Sequence, residues 1–459
     1  MKERIIYYFL RHSRHTRKIR TEQYIVAAFL AVILLGALLL TLPAASRSGT
    51  SCGFLTALFT STSATCVTGL VLADTYVQWT GFGQIVILCL IQIGGLGFMS
   101  IISIFFFLLH RKIGLQQRLI MAQGFSLNGM DGVVHLVRKV LLWTLVLEAG
   151  GAAILTARFA GTYGFWQAFR WGIFHAISAF CNAGFDLFGK LKSGSSLELF
   201  VHDPVVNFVI MALIVIGGLG FYVWVDLSRR GRLKRLSVHT KLVLSITAVL
   251  IFGGAALFAL LEWNNPETIG RFSTGEKLLA SLFQSVTCRT AGYASVPQGA
   301  LTDASKALSS VLMLIGGSAG STAGGIKTVT VGILLLSALN AARGKSRLTV
   351  FGRTIGDGQI RQAVTVMILM TSLAFGGAIA ISAAGGFSFL DSLFETTSAL
   401  GTVGLTTGLT PLLGAGSKVL LILFMFFGRV GIMTISFGFL LSDQAEERYH
   451  YAEAKVLIG

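Results

Sequence analysis

Several stretches of this chain stay apolar over the roughly 20 residues that a helix needs to cross a bilayer. The runs 25–42, 85–109, 205–225, 242–261 and 419–441 each read as a span. In lipid every backbone polar group must be satisfied within the protein, so spans of this length are helices. The expected fold class is an all-α polytopic membrane protein. Only 12% of the 459 residues are charged and 54% are hydrophobic, which leaves too few charges to cover a soluble chain of this size. The first twenty residues, MKERIIYYFLRHSRHTRKIR, are basic and lead into a run long enough to span. They read as a cytoplasmic tail suited to anionic lipid, not as a cleaved signal peptide.

A net charge of +17 invites a nucleic-acid reading. Its distribution points elsewhere. Basic clusters at 11–20, 110–118, 138–139, 229–241 and 343–361 fall at every second connection between spans. Positive loops face the cytoplasm, so both termini are expected inside a multi-pass protein of the cell membrane. No nucleic-acid partner is expected; the bilayer itself is the surrounding partner. The five cysteines (52, 66, 89, 181 and 288) match neither a zinc spacing nor a disulfide framework.

The chain repeats itself four times. LFTSTSATCVTGL (58–70), IFHAISAFCNAGF (173–185), LFQSVTCRTAGY (282–293) and LFETTSALGTVGL (393–405) each run from Phe through small and hydroxyl residues to Gly. A second signature follows each: IGGLGF (93–98), IGGLGF (216–221), IGGSAG (315–320) and FGRVGI (427–432). The second copy carries an insertion around 189–203. Each unit thus reads as helix, short half-buried segment, helix. A segment such as 53–65 is too short to span and too apolar for a loop, which suits a re-entrant pore helix. The divisions are a basic tail at 1–20, repeats at 21–118, 119–236, 237–352 and 353–443, and a cytoplasmic C-terminal tail at 444–459. The repeats share one orientation and are expected to surround a pseudo-four-fold pore.

Four matched glycines, Gly69, Gly184, Gly292 and Gly404, end the short segments. A ring of backbone carbonyls can replace the water around a cation, and glycine tolerates the backbone that aims them. The pore helices would turn the negative ends of their dipoles toward that ring. The candidate selectivity filter is therefore Cys66, Val67, Thr68 and Gly69; Cys181, Asn182, Ala183 and Gly184; Cys288, Thr290, Ala291 and Gly292; and Gly401, Thr402, Val403 and Gly404. Without a histidine or a fourth thiol, its cysteines read as small packing residues, not as a zinc site. Arg289 is expected to point away from the axis.

The segment GGSAGSTAGGIKT nearly matches a phosphate-binding loop. Ile326 separates Gly325 from Lys327, and no strand precedes it, so a nucleotide site is rejected. It reads as a break in the second helix of unit three, about 24 residues past Gly292. Irregular backbone at that depth is tolerated where it lines a cavity, which suggests a gating loop at 314–328. The gate residues are Gly316, Gly317, Ser318, Gly320, Ser321, Thr322, Gly324, Gly325 and Lys327, with Arg429 holding them. Arg429 stands where the other repeats carry their second glycine. Lys327 reads equally as a gate residue or as a side chain snorkelling to the surface, and Glu148 as locally paired. His175 is the best candidate base for an intramembrane hydrolase, but no nucleophile accompanies it, and no enzyme activity is expected.

Four such units, ending SATCVTG, SAFCNAG, TCRTAG and SALGTVG, resemble the Trk/Ktr/HKT superfamily of potassium transporters over residues 20–459. One span before the first pore segment and the ending AEAKVLIG are similar to the Ktr type, with the longer TrkH type as the alternative. The resemblance implies potassium uptake as the ion-translocating subunit. It implies a homodimer with one pore per subunit, gated by a cytosolic KtrA-like RCK ring that alone would bind nucleotide. It also implies sodium dependence in many members, although no residue here marks a sodium site. In plant members a serine in the first filter accompanies sodium transport; this chain has Gly69 there.

Overall fold

The computed structural model describes residues 21–97, 133–230, 233–345 and 347–431. The tails at 1–20 and 444–459 and the junction at 118–119 lie outside them. The described chain is almost wholly helical, with a two-residue antiparallel hairpin, β1 (Thr349–Val350) and β2 (Arg353–Thr354), at the join of repeats three and four.

Each repeat opens with a long helix: α1 (Thr21–Thr41), α4 (Val133–Tyr163), α8 (Val238–Glu262) and α12 (Asp357–Gly385). These four are long and apolar enough to cross a membrane, and two-thirds of each faces outward. Apolar surface on the outside is what lipid solvates. The short helices α2 (Phe54–Thr65), α5 (Phe165–Phe180), α9 (Thr274–Thr287) and α13 (Phe389–Gly401) each pack against the long helix before them. Hydroxyls stitch the pairs. Ser61 Oγ donates to Ile33 O at 2.6 Å, Ser285 Oγ to Ile251 O at 2.8 Å and Thr396 Oγ1 to Ala374 O at 3.1 Å. These three hydroxyls are thereby satisfied without water.

The second helices are α3 (Gly81–Leu96), α6 (Pro204–Leu219), α10 (Asp303–Leu314) and α14 (Ala415–Val430). Run 205–225 does not cross as one helix. α6 ends at Gly220, and α7 (Phe221–Arg230) leaves it at 91°. α3 and α14 end in the same way, on Gly97 and Gly431. All three terminal glycines have positive φ, +79°, +94° and +91°, where a side chain is strained. The remainder of runs 85–109 and 419–441 lies outside the described residues. Repeat three has Ala319 at the matching position. Its helix stops earlier, at Leu314, and resumes as α11 (Thr328–Ala342). The second helices of repeats two and three are thus broken, and those of repeats one and four end at the matching glycine, where the sequence signalled a break only in the third.

The first glycine of the second signature has a different task. Gly94, Gly217 and Gly428 face the carbonyls of Thr65, Phe180 and Leu400, where a β-carbon would collide with backbone. Each second helix can therefore pass close beneath the end of its own pore helix. The insertion in repeat two forms turns at Phe188–Lys190 and Glu198–Phe200 and ties its neighbours together. Gly194 N–H donates to Asp74 at 2.9 Å, and Leu197 N–H donates to Ala294 O at 2.9 Å.

Candidate functional site

The four short helices end at Cys66, Cys181, Cys288 and Thr402. The chain then alternates. Val67, Asn182, Thr290 and Thr402 have φ of +57°, +60°, +69° and +52°, two residues before each repeated glycine. The glycines follow at +93° (Gly69), +68° (Gly184), +79° (Gly292) and +96° (Gly404). Non-glycine residues rarely hold positive φ, so four at one matched position are a built feature.

The glycines close a ring. A β-carbon on Gly69 would strike Ala183 O; on Gly184, Ala291 O; on Gly292, Val403 O; and on Gly404, Thr68 O. Every contact is to the carbonyl preceding the next repeat's glycine, and the order returns to its start. Four carbonyls, of Thr68, Ala183, Ala291 and Val403, are thus gathered at one place. Repeat three is one residue shorter from Phe to Gly; its helix ends two residues sooner than in repeats one and two, at Thr287, and the stretch on to its glycine is one residue longer. Arg289 takes the place held by Cys66, Cys181 and Gly401. Its buried side chain reaches Gly316 O of the broken helix at 3.5 Å.

Two rows on the short helices brace the ring, and neither stood out in the sequence. Four residues after the repeated Phe stand Ser63, Ser178, Thr287 and Ser398. Ser63 and Ser398 accept from the N–H groups of Gly69 and Gly404, each at 3.1 Å. Ser178 and Thr287 donate to the carbonyls of Phe185 and Tyr293, at 2.8 and 2.6 Å. One residue after the Phe stand Thr60, His175, Gln284 and Glu395, all buried. His175 Nε2 accepts from Leu187 N–H at 3.2 Å while Nδ1 bonds Trp171 O at 2.7 Å, so neither ring nitrogen is left for acid–base chemistry. Gln284 and Gln298 exchange amide bonds at 2.7 and 3.0 Å. Glu395 accepts from the Thr406 hydroxyl, from Thr407 N–H at 3.1 Å and from the Thr410 hydroxyl. The constant offsets from Phe are the signal that could have found both rows.

Residues 315–327 pack on the pore-helix side of the ring. Ile315 and Ile326 form a parallel bridge that closes the loop at its neck. Gly324 packs on the Thr402 side chain and Gly325 lies near Gly401 O. Repeat two holds the far side: Ser318 N–H donates to Gly218 O at 3.0 Å, and Thr322 Oγ1 to Phe180 O at 3.2 Å. Arg429 donates to Thr322 O in the loop, to Gly94 O, and to Gly95 O at 3.1 Å. One guanidinium thus joins repeats one, three and four. Its five donors in a plane suit several carbonyls at once. Lys327 Nζ folds back to Ala323 O at 2.8 Å and does not snorkel outward. Glu148 accepts from Gln92 Nε2 at 3.1 Å, a local partner on α3. The five cysteines are free, and no cluster of metal-ligating side chains occurs among the described residues.

The family model for the TrkH cation transport protein matches residues 5–448. This chain belongs to the TrkH family. It is therefore a membrane transporter of a cation-transport family and not an enzyme. The family chain is 41% identical to the potassium/sodium uptake protein NtpJ of Enterococcus hirae, over 97% of this chain and 99% of that one. It is 40% identical to the Ktr system potassium uptake protein B of Bacillus subtilis, over 93% and 94% of the two chains. The fold matches the potassium transporter TrkH from Vibrio parahaemolyticus with a TM-score of 0.71 at 18% identity, covering 94% and 87%.

Proposed function

We propose that this chain carries potassium ions across the plasma membrane through the four-glycine ring, as the translocating subunit of a Ktr-type system. The closed cycle of glycine-to-carbonyl contacts carries this reading. It collects carbonyls from four repeats about one point, the arrangement that can replace a cation's water. The helix ends at Cys66, Cys181, Cys288 and Thr402 aim their negative dipole ends there. The named activities of the relatives at 41% and 40% identity support potassium as the ion, and the first of them supports a part for sodium. Repeats 21–118, 119–236, 237–352 and 353–443 are the four walls, with the basic connections and both termini cytoplasmic.

The loop 314–328 is the gate. It blocks the way between ring and cytoplasm until a regulator acts, a KtrA-like RCK ring docked on the cytoplasmic face of a homodimer. Transport is passive down the electrochemical gradient. The test is potassium uptake, with and without sodium, in a bacterium lacking its own uptake systems and expressing this chain with and without such a regulator. Growth on low potassium that needs both proteins supports the reading. Absence of uptake in correctly inserted protein with its regulator overturns it.

A further inference from the structure

Helix α7 leaves α6 at 91°, so that with α6 crossing the bilayer it would run in the plane of the membrane. Between it and the start of α4 is an open cavity of about 70 Å³, lined by Lys139, Val140 and Trp143 from α4 and by Phe221, Trp224 and Ser228 from α7. We propose that this groove binds an anionic phospholipid of the cytoplasmic leaflet and couples it to the loop under the ring. The inference rests on the reading of this basic face as cytoplasmic.

The groove has two chemistries. Its walls are apolar and aromatic, as an acyl chain requires. Trp143 is 47% exposed, and Trp224 is fixed by its Nε1 donating to Ile216 O at 3.0 Å. Indoles at this depth are characteristic of the membrane–water boundary. Its rim is basic. Among the described residues no carboxylate pairs with Lys139, and Arg138 and Arg229 are exposed beside it. Asp226, on α7, is buried and accepts from Ser237 N–H at 2.8 Å. A phosphate held by Lys139 and the Ser228 hydroxyl would leave its chain along the tryptophans. Basic pockets between helices on the cytoplasmic side recognise such headgroups.

The coupling is a matter of backbone. Phe221 N–H, the first donor of α7, bonds Gly320 O at 2.8 Å. Just before it, Gly217 O and Gly218 O accept from the N–H groups of Thr322 and Ser318, at 3.3 and 3.0 Å. The α6–α7 corner therefore grips the gate loop directly. A lipid that pins α7 against α4 fixes that grip.

The full chain is placed in phosphatidylcholine vesicles doped with dibrominated phosphatidylglycerol or dibrominated phosphatidylcholine, and tryptophan quenching is read. Quenching by the anionic lipid should exceed that by the zwitterionic one about twofold at equal doping. The excess should shrink in Trp143→Phe, vanish in Lys139→Gln, persist in Lys139→Arg and persist in Lys192→Gln, a control in the repeat-two insertion. Equal quenching by both lipids, an excess that survives Lys139→Gln, or an excess removed by millimolar inorganic phosphate would overturn the site. For the coupling, wild-type potassium flux should change with phosphatidylglycerol content and Lys139→Gln flux should not; parallel responses overturn it. The fluorescence arm does not depend on transport, so failure of the transport reading shows separately.

Discussion

The glycine ring and the loop beside it are both glycine-rich, and both hold backbone at positive φ. They are built in opposite ways. In the ring each repeat's glycine lies against the backbone of the next, and the contacts close on themselves. The loop is held by unlike partners: the guanidinium of Arg429, a backbone corner of repeat two, and Lys327 folded onto its own carbonyls. Removing Arg429 cuts the side-chain tie to repeats one and four and leaves the backbone bonds to repeat two. A cyclic backbone structure is suited to a fixed dimension, and a segment clamped by side chains is suited to a movable one.

The sharpest way to break the contrast is Gly69→Ser. That serine would sit at φ +93° with its β-carbon against Ala183 O. The conformation alone costs about 1–2 kcal/mol, and relief requires the ring to widen. The potassium-to-sodium uptake ratio should fall about tenfold, by the usual 1.4 kcal/mol per decade. An unchanged ratio in inserted protein would mean that ions are not selected at the ring. Next in size is Arg429→Ala. It removes a donor from three carbonyls; Gly94 O keeps the Gly97 N–H, and loss at Thr322 O and Gly95 O costs about 1–3 kcal/mol each. Flux through the chain without its regulator should rise about tenfold, and Arg429→Lys should fall between, since a point charge cannot span the three. Wild-type flux in both variants would show that the clamp does not hold a gate.

A smaller effect is expected of Glu395→Gln. The amide keeps the shape but gives up one of two acceptor oxygens, either Oε1, which takes Thr406 and Thr407, or Oε2, which takes Thr410. The uptake ratio should drop about twofold to threefold; a Gln variant as selective as wild type would remove Glu395 from the filter's supports. The smallest is a paired test of the two adjacent glycines of α6. Gly217→Ala meets Phe180 O and should lower the melting temperature in detergent by about 5 °C. Gly218→Ala has its nearest neighbour, the Asn182 amide, at 3.5 Å and should leave melting within about 1 °C of wild type. Equal losses would contradict the close approach assigned to the first glycine.

Much of this was legible in the chain. The matched Phe-to-Gly segments and the apolar runs around them give four helix–segment–helix units, and the long first helix of each unit is there. Other features were hidden because they need a second partner. A polar residue after Phe looks like part of a hydroxyl-rich segment until the loop beyond the glycine returns to it, as with Glu395; His175 was visible, but as a candidate base and not as a brace. The glycines at 97, 220 and 431 are unremarkable among 54 until they terminate helices at one depth. Arg429 announces itself as a charge in an apolar run, but Gly94 and Gly95 belong to a repeat more than 300 residues earlier.

By itself the sequence determined periodicity, membrane residence and the places where only glycine serves. Those follow from local chemistry: apolar length, charge asymmetry and the steric freedom of a missing β-carbon. The tertiary structure decided who stands next to whom. It set the order of the ring, the grip of the α6–α7 corner on the loop 315–327 and the three acceptors of one arginine. Such pairings come from packing four similar units around one axis, and each unit's own residues do not encode which neighbour will complete them.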